Sequence, residues 1–275
     1  MGKDRPIKVD CAIPAREART SLWSELFWIA EWAELRMSPV YHGAGIPRGS
    51  GQPVVVVPGF LGTDAHTGEM RGWLKRLGYA TYPSGIGRNM DCPDVSLEKL
   101  EETLESVARR SGQSVRIGGH SLGGLLARAA AVRRPDLVSQ VITLGSPLRV
   151  FNGHPLVLWV ARLLGDVTPS PSVSPRRHDG HVHDSGCACE LVEALGRPIP
   201  LTVHRTSIYN RRDGIVDWRS CRDAAPGRNV EVSSSHLGML VNKDVYRAIA
   251  DLLAAPAEIE EPPAARPARL LEPAA

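Results

Sequence analysis

The sequence lacks a long apolar run, an apolar leader and a strong charge of either sign. No uncharged apolar stretch reaches the ~18 residues that a membrane-spanning helix needs, so none is expected. The first residues, Met-Gly-Lys-Asp-Arg-Pro, include three charged side chains, and no apolar stretch follows before Cys11, so no secretory signal is expected. Lysine and arginine total 33 against 30 acidic residues, a net charge of +3. That balance is too even to predict nucleic-acid binding.

Cysteine is also scarce. The five cysteines leave at least one thiol unpaired, which fits a reducing compartment better than a disulfide scaffold. A single bridge, such as Cys92 to Cys221, stays open. We therefore expect a cytoplasmic protein of unassigned oligomeric state, with peripheral contact to a membrane as an open alternative.

The N-terminal segment, residues 1–49, is expected to be helical and to pack on the main domain. Within it, residues 15–37 carry apolar side chains at near-helical spacing, which predicts a helix. Trp23, Trp28 and Trp32 recur along it, so a helix lying at a membrane interface is the alternative. Such helices usually carry a basic polar face, whereas the charged residues between the apolar ones here, Glu25, Glu31, Glu34 and Arg36, are mainly acidic, which favours packing on the protein.

Residues 50–253 alternate between β-branched runs and amphipathic stretches. The run at 52–59, Gln-Pro-Val-Val-Val-Val-Pro-Gly, is typical of a strand buried on both faces. Further strands are predicted at 79–82, 114–119, 137–144, 201–209 and 229–232, and helices at 68–77, 96–110, 122–134 and 243–253. This alternation predicts an α/β domain with a mostly parallel central sheet and helices on both faces.

Two stretches depart from the alternation. Residues 148–200 contain one apolar run, 155–164, followed by a segment rich in Ser, Pro and His. We expect a lid-like insertion there that offers apolar surface to an acyl chain. Residues 254–275 are rich in Ala, Pro and Glu and are expected to form a disordered tail.

Five side chains able to bind metal crowd a short part of the insertion: His178, His181, His183, Cys187 and Cys189. Imidazole and thiolate are ligands that zinc accepts. Their spacing matches no standard zinc finger. A polar loop without metal is therefore the favoured interpretation, and no cofactor is expected.

The stretch Gly119-His120-Ser121-Leu122-Gly123 fits the pattern G-x-S-x-G, which is typical of a catalytic serine. A predicted strand enters the motif and a predicted helix leaves it. This strand–turn–helix context raises the serine above the sheet, while glycine neighbours let the helix and strand approach closely. We therefore predict Ser121 as a nucleophile.

A serine nucleophile needs a base, and the base needs a carboxylate that orients it. Asp213 follows the strand predicted at 201–209 and precedes a glycine, which makes it the favoured acid. Asp217 and Asp223 lie further along the chain and stay as alternatives.

His236 is the favoured base because it follows the last predicted strand. The chain order Ser121, Asp213, His236 is then the order this strand–turn–helix motif requires. His204 lies inside a predicted strand, where a packed histidine is the better interpretation. His120 stands beside the serine and is expected to point away from the tip of the turn.

An oxyanion hole needs two backbone N–H groups aimed at the developing alkoxide. Leu122, the residue after the nucleophile, would supply one. The other would come from the glycine-containing turn at 58–62, where Phe60 is the predicted donor.

With these motifs the chain resembles the α/β-hydrolase superfamily, and within it the bacterial lipases and esterases. The resemblance covers residues 40–253. It rests on VVVVPGFLG at 54–62, GHSLGG at 119–124, VITLGSP at 141–147, the D-G-x-V stretch at 213–216 and SSSHLGM at 233–239. Lipases of this kind often carry His-Gly at the oxyanion turn, whereas this chain has Pro58-Gly59.

The resemblance implies hydrolysis of small-molecule or lipid acyl esters through a serine acyl-enzyme, without a cofactor. Two alternatives stay open at this point. An acyltransferase would use the same three residues with an alcohol or amine in place of water. A non-catalytic binding protein would keep the scaffold alone.

Overall fold

The computed structural model describes residues 22–90, 92–148, 190–223 and 229–255. The helices are α1 (Trp28–Met37), α2 (Gly68–Arg76), α3 (Pro93–Ser111), α4 (Leu122–Arg133), α5 (Glu190–Gly196) and α6 (Lys243–Ala254). The strands are β1 (Pro53–Val57), β2 (Ala80–Pro83), β3 (Val115–His120), β4 (Val138–Leu144), β5 (His204–Tyr209) and β6 (Asn229–Glu231). None of the helices in these ranges is both long and apolar enough to cross a membrane.

The six strands form one sheet with the order β2-β1-β3-β4-β5-β6. Every neighbouring pair is parallel. The interior strand β1 is buried along its whole length, as its β-branched run predicts. The register sets Val57 opposite Gly119 and His120 opposite Leu144. The strands on either side of β3 therefore end near the same level as the predicted nucleophile.

Each face of the sheet carries its own apolar core. Val55 and Val57 pack with α3, α4 and α5, while Val54 and Val56 pack with α1, α2 and α6. The alternation along β1 follows from the two-residue period of a strand. The predicted α/β fold, with a mostly parallel sheet and helices on both faces, is confirmed.

The N-terminal segment joins the second of these cores. Leu35 of α1 is fully buried, and the indole Nε1 of Trp73 donates to the Val40 carbonyl oxygen at 3.0 Å. Trp28 and Trp32 keep 40% and 38% of their surface exposed. The contacts tie this segment to the sheet, whereas contact of its tryptophans with a membrane stays a prediction.

The helix predicted over 15–37 is wrong in part. Residues Leu22–Phe27 form a 3₁₀ helix and the α-helix begins at Trp28, while residues 15–21 lie outside the described part. Tighter 3₁₀ turns are common at α-helix ends, and a 3.6-residue apolar period does not separate the two forms. The strand predicted from 201 begins instead at His204, because residues 201–203 form a turn.

Two short helices were not expected. Helix α5 is seven residues long, too short for apolar periodicity to reveal it. Its first turn is held by Asp94, whose carboxylate accepts from the Leu191 N–H at 2.9 Å. The other is a 3₁₀ helix at Leu237–Leu240, directly after the predicted base.

Several expectations concern residues outside the described part. They are the apolar run of the insertion, the metal-ligand candidates His178, His181, His183, Cys187 and Cys189, and the tail from 256 onward. The suggested disulfide can be judged. The Cys221 thiol is buried and free, so it does not bridge to Cys92, and its burial raises its pKa.

Candidate active site

The residues predicted from sequence lie at one edge of the sheet. The turn with Phe60 follows β1, Ser121 follows β3, Asp213 follows β5 and His236 follows β6. Because the strands are parallel, their carboxyl ends meet at this edge, which is where open α/β sheets place their sites.

Ser121 stands at a sharp turn between β3 and α4. Its backbone has φ 51° and ψ −121°, and its N–H donates to the Leu144 carbonyl oxygen at 2.9 Å. A positive φ is unusual for a residue other than glycine and stores strain, which recurs at functional sites. Within the described residues the Ser121 hydroxyl makes no hydrogen bond. Its oxygen is therefore not committed to a structural contact there.

The two glycines around Ser121 are required by close approach. A Cβ at Gly119 would lie 2.6 Å from the Gly124 Cα, and one at Gly123 would lie 2.5 Å from the Val57 carbonyl oxygen. Any larger residue would push α4 away from β3 and β1. The G-x-S-x-G pattern is thus a packing requirement of this turn as well as a motif.

Asp213 and His236 form a buried hydrogen-bonded pair. The Nδ1 of His236 lies 2.7 Å from Oδ2 of Asp213, and the side chains are 3% and 1% exposed respectively. The other Asp213 oxygen, Oδ1, accepts from the N–H groups of Ile215 and Val216 at 2.9 and 2.7 Å. Three donors therefore fix the carboxylate. With Nδ1–H directed at Asp213, the neutral imidazole has its lone pair on Nε2.

His120 also contacts the base of this pair. Its Nε2 lies 2.9 Å from the His236 carbonyl oxygen, so that nitrogen carries the proton and donates. Burial lowers the pKa of His120 to about 3, and the ring stays neutral. The two imidazole rings pack with their centroids 4.8 Å apart, so His120 contacts the ring of the base as well as its backbone.

The rival residues have other partners. Oδ1 of Asp217 accepts from the Arg219 N–H at 3.0 Å, and Oδ2 of Asp223 pairs with Arg205 at 2.9 Å. His204 is the first residue of β5, at the end of that strand away from the site edge. Neither aspartate therefore takes the place of Asp213 at the Nδ1 of His236, and His204 does not reach the site edge.

The predicted oxyanion donors have unused N–H groups. Within the described part, neither Phe60 nor Leu122 donates its backbone N–H to another group. The neighbouring Leu61 N–H does donate, to the Asn89 carbonyl oxygen at 2.9 Å. The turn therefore leaves free the donor that was predicted from its position.

Asn89 holds that turn in place, a role that the sequence alone did not reveal. Its Nδ2 donates to the Pro58 carbonyl oxygen at 2.8 Å, and its N–H donates to the Gly62 carbonyl oxygen at 2.8 Å. Between these points Leu61 adopts φ 59°, a strained conformation for leucine. The signal available in sequence was a polar residue in a glycine-rich stretch, which does not by itself identify its partner.

Metal binding finds no support in the described residues. Within those ranges no group of three or more His, Cys, Asp or Glu side chains could hold an ion. The five candidates of the insertion lie outside them, so their role stays a prediction.

The parallel sheet, the strained serine turn and the Asp–His pair at the carboxyl edge define an α/β-hydrolase fold. A solved structure agrees. The mature form of a Bacillus licheniformis lipase superposes with a TM-score of 0.53 over 76% of this chain and 94% of that one. The two sequences are 16% identical, so the likeness concerns the fold.

Curated relatives are similar over part of their length. A triacylglycerol lipase of Burkholderia plantarii is 31% identical over 121 residues, 41% of this chain and 34% of the relative. A triacylglycerol lipase of Pseudarthrobacter phenanthrenivorans is 32% identical over 106 residues, 35% of this chain and 33% of the relative. The chain thus spans about a third of these relatives. No family model matches it, but its resemblance to bacterial lipases and esterases is confirmed.

Proposed function

We propose that this protein is a serine carboxylic-ester hydrolase that cleaves acyl esters. The observation that carries the proposal is the buried Asp213–His236 pair beside the strained Ser121 turn. Gly145 links the two: a Cβ there would lie 3.2 Å from His236 Nδ1 and 3.3 Å from Asp213 Oδ2, and the preceding residue, Leu144, accepts from the Ser121 N–H. The relatives named triacylglycerol lipases support an ester substrate.

The first half-reaction forms an acyl-enzyme. Ser121 Oγ attacks the ester carbonyl carbon while His236 Nε2 takes the hydroxyl proton. The carbonyl oxygen becomes an alkoxide, which the N–H groups of Phe60 and Leu122 stabilise. The C–O bond to the alcohol then breaks, and His236 returns the proton to the departing oxygen.

The second half-reaction releases the acid. A water molecule attacks the acyl carbon and gives a proton to His236 Nε2, and the bond to Ser121 Oγ breaks as that proton returns to it. Throughout, Asp213 holds the ring in the required tautomer and stabilises the imidazolium. Each residue ends in its starting state, so the cycle needs no cofactor.

The test is hydrolysis of p-nitrophenyl esters from acetyl to palmitoyl by the unaltered chain. We expect turnover, and the chain-length optimum separates an esterase from a lipase. Adding an alcohol or amine acceptor and analysing products tests acyl transfer, which would appear as an acyl-acceptor product at the expense of free acid. If no ester is hydrolysed, the proposal is contradicted, and a non-catalytic binding protein becomes the favoured hypothesis.

Asn89→Asp is expected to weaken the oxyanion turn. The carboxylate has no donor to offer the Pro58 carbonyl oxygen, so two acceptors would face each other across the 2.8 Å now bridged by Nδ2–H. Loss of one oxyanion donor costs roughly 10²- to 10³-fold in kcat, and a displaced turn should cost less, about 10- to 100-fold. The measurement is steady-state kinetics on the best p-nitrophenyl ester.

The matched control is Gln113→Glu, which makes the same amide-to-carboxylate change at an exposed position after α3. It should keep the original kcat. Equal rates for Asn89→Asp and Gln113→Glu would show that Asn89 does not position the turn.

A further inference from the structure

We propose that Glu25, from the N-terminal segment, is a positioning residue that fixes Asp213 and His236 relative to each other. The inference rests on the proposed function, because it assigns Glu25 a role in the same ester hydrolysis. Glu25 lies in the 3₁₀ helix Leu22–Phe27, before the α/β-hydrolase motifs begin, and only 6% of its surface is exposed. A carboxylate is rarely buried to this degree unless it is fully hydrogen-bonded.

The partners of Glu25 are backbone donors of two separate loops. Its Oε1 accepts from the Gly214 N–H at 3.0 Å and from the His236 N–H at 3.1 Å. Its Oε2 accepts from the Leu237 N–H at 2.9 Å. One side chain therefore binds the residue after the acid, the base itself and the residue after the base.

This arrangement joins loops that the sheet leaves separate. Asp213 follows β5 and His236 follows β6, and neither residue belongs to a strand. Hydrogen bonds from backbone N–H groups to an ionised carboxylate are stronger than those between neutral groups. One carboxylate can therefore hold both loops. The distance between Nδ1 and Oδ2 then depends on Glu25 as well as on the two residues themselves.

A second carboxylate of the segment has a narrower role. Oε1 of Glu31 accepts from the Ser235 N–H, and Oε2 accepts from Ser234 Oγ, both at 2.7 Å. Oε2 also accepts from Asn242 Nδ2 at 3.2 Å. Glu31 thus secures the loop before the base, whereas Glu25 is the one that bridges acid and base.

Glu25→Gln isolates this role because it keeps size and shape. The amide oxygen can still accept, but the amide nitrogen is a donor and would face a backbone N–H of the loops. A mispositioned reacting group can cost about 10²-fold in rate, so we expect kcat to fall roughly 10- to 100-fold with KM within about twofold. Backbone amide exchange at Gly214, His236 and Leu237 should quicken in the same variant.

The matched control is Glu34→Gln on α1, where an exposed carboxylate pairs with Lys243. It should leave kcat and the amide exchange of the two loops unchanged. A second variant, Glu25→Ala, removes the carboxylate and tests chemical rescue. Formate should restore part of its kcat by accepting the three N–H groups, whereas formamide should not.

Active-site titration with a fluorophosphonate normalises each rate to the folded, competent fraction. Unchanged normalised kcat in Glu25→Gln, or no difference between formate and formamide for Glu25→Ala, would overturn the inference while leaving the proposed function intact. No ester turnover by the unaltered chain would overturn the proposed function, and this inference with it.

Discussion

Ser121→Ala is expected to lower kcat for ester hydrolysis by about 10⁴- to 10⁶-fold, the range found when the nucleophile of a serine triad is removed. The methyl group has no lone pair to attack the carbonyl carbon, so no acyl-enzyme forms. The oxyanion donors and the substrate contacts remain, and they account for the residual rate above water. The measurement is kcat on the best p-nitrophenyl ester, with folding checked by thermal unfolding.

Ser114→Ala is the matched control for that change. Ser114 is exposed and precedes β3, so it lies at the opposite end of the strand that carries Ser121. It should retain the original activity. If Ser121→Ala kept the activity as well, the serine mechanism would be wrong.

Asp213→Asn should reduce kcat by about 10⁴-fold, the loss measured when a triad aspartate becomes an amide. The asparagine oxygen can keep the bonds from Ile215 and Val216, which leaves the amide NH₂ facing His236 Nδ1. Two donors cannot share that contact, so the imidazole must move its proton to Nε2. The ring then cannot take the proton of Ser121, although the fold is preserved.

Asp217→Asn tests the rival acid with the same chemistry four residues further on. Its carboxylate bonds to Arg219 at the surface, so its loss should cost little activity. Near-normal kcat in Asp217→Asn and a large loss in Asp213→Asn is the expected pattern. The reverse pattern would assign the acid to Asp217 and contradict the role of the buried pair.

Much of the fold was predictable because the residue types of its strands indicate how those strands are buried. Four consecutive valines are typical of a strand that is buried on both faces. A parallel sheet between two layers of helices provides that burial. Helices α3 and α6 were likewise indicated by apolar residues at helical spacing. Helix α5 was not indicated, because its seven residues span too few helical turns to show an apolar pattern. Its first turn also depends on a hydrogen bond to a side chain of α3.

The candidate site likewise contains residues that the sequence could indicate and residues that it could not. The serine, acid, base and oxyanion turn were predicted from residue type and from their position after strands, both of which are local properties. Asn89 and Glu25 act through contacts with distant parts of the chain: Pro58 lies 31 positions from Asn89, and His236 lies 211 positions from Glu25. An acidic residue in an N-terminal helical stretch looks like a solvent-facing one until the loops it binds are known.

The burial of Glu25 also changes how the N-terminal segment is interpreted. Its acidic residues favoured packing on the protein over contact with a membrane, and Glu25 and Glu31 bond to loops at the site edge. The segment therefore does more than cover one face of the sheet. Its exposed tryptophans leave the membrane hypothesis as a separate prediction.

The most direct test of the account is covalent labelling of the unaltered chain with a fluorophosphonate, followed by mass mapping of the modified peptide. We expect one adduct, on Ser121, because only a serine activated by His236 displaces fluoride from phosphorus at a useful rate. Ser121→Ala should show no adduct, and Ser114→Ala should label normally. A folded protein that stays unlabelled, or that carries the adduct on another residue, would contradict it.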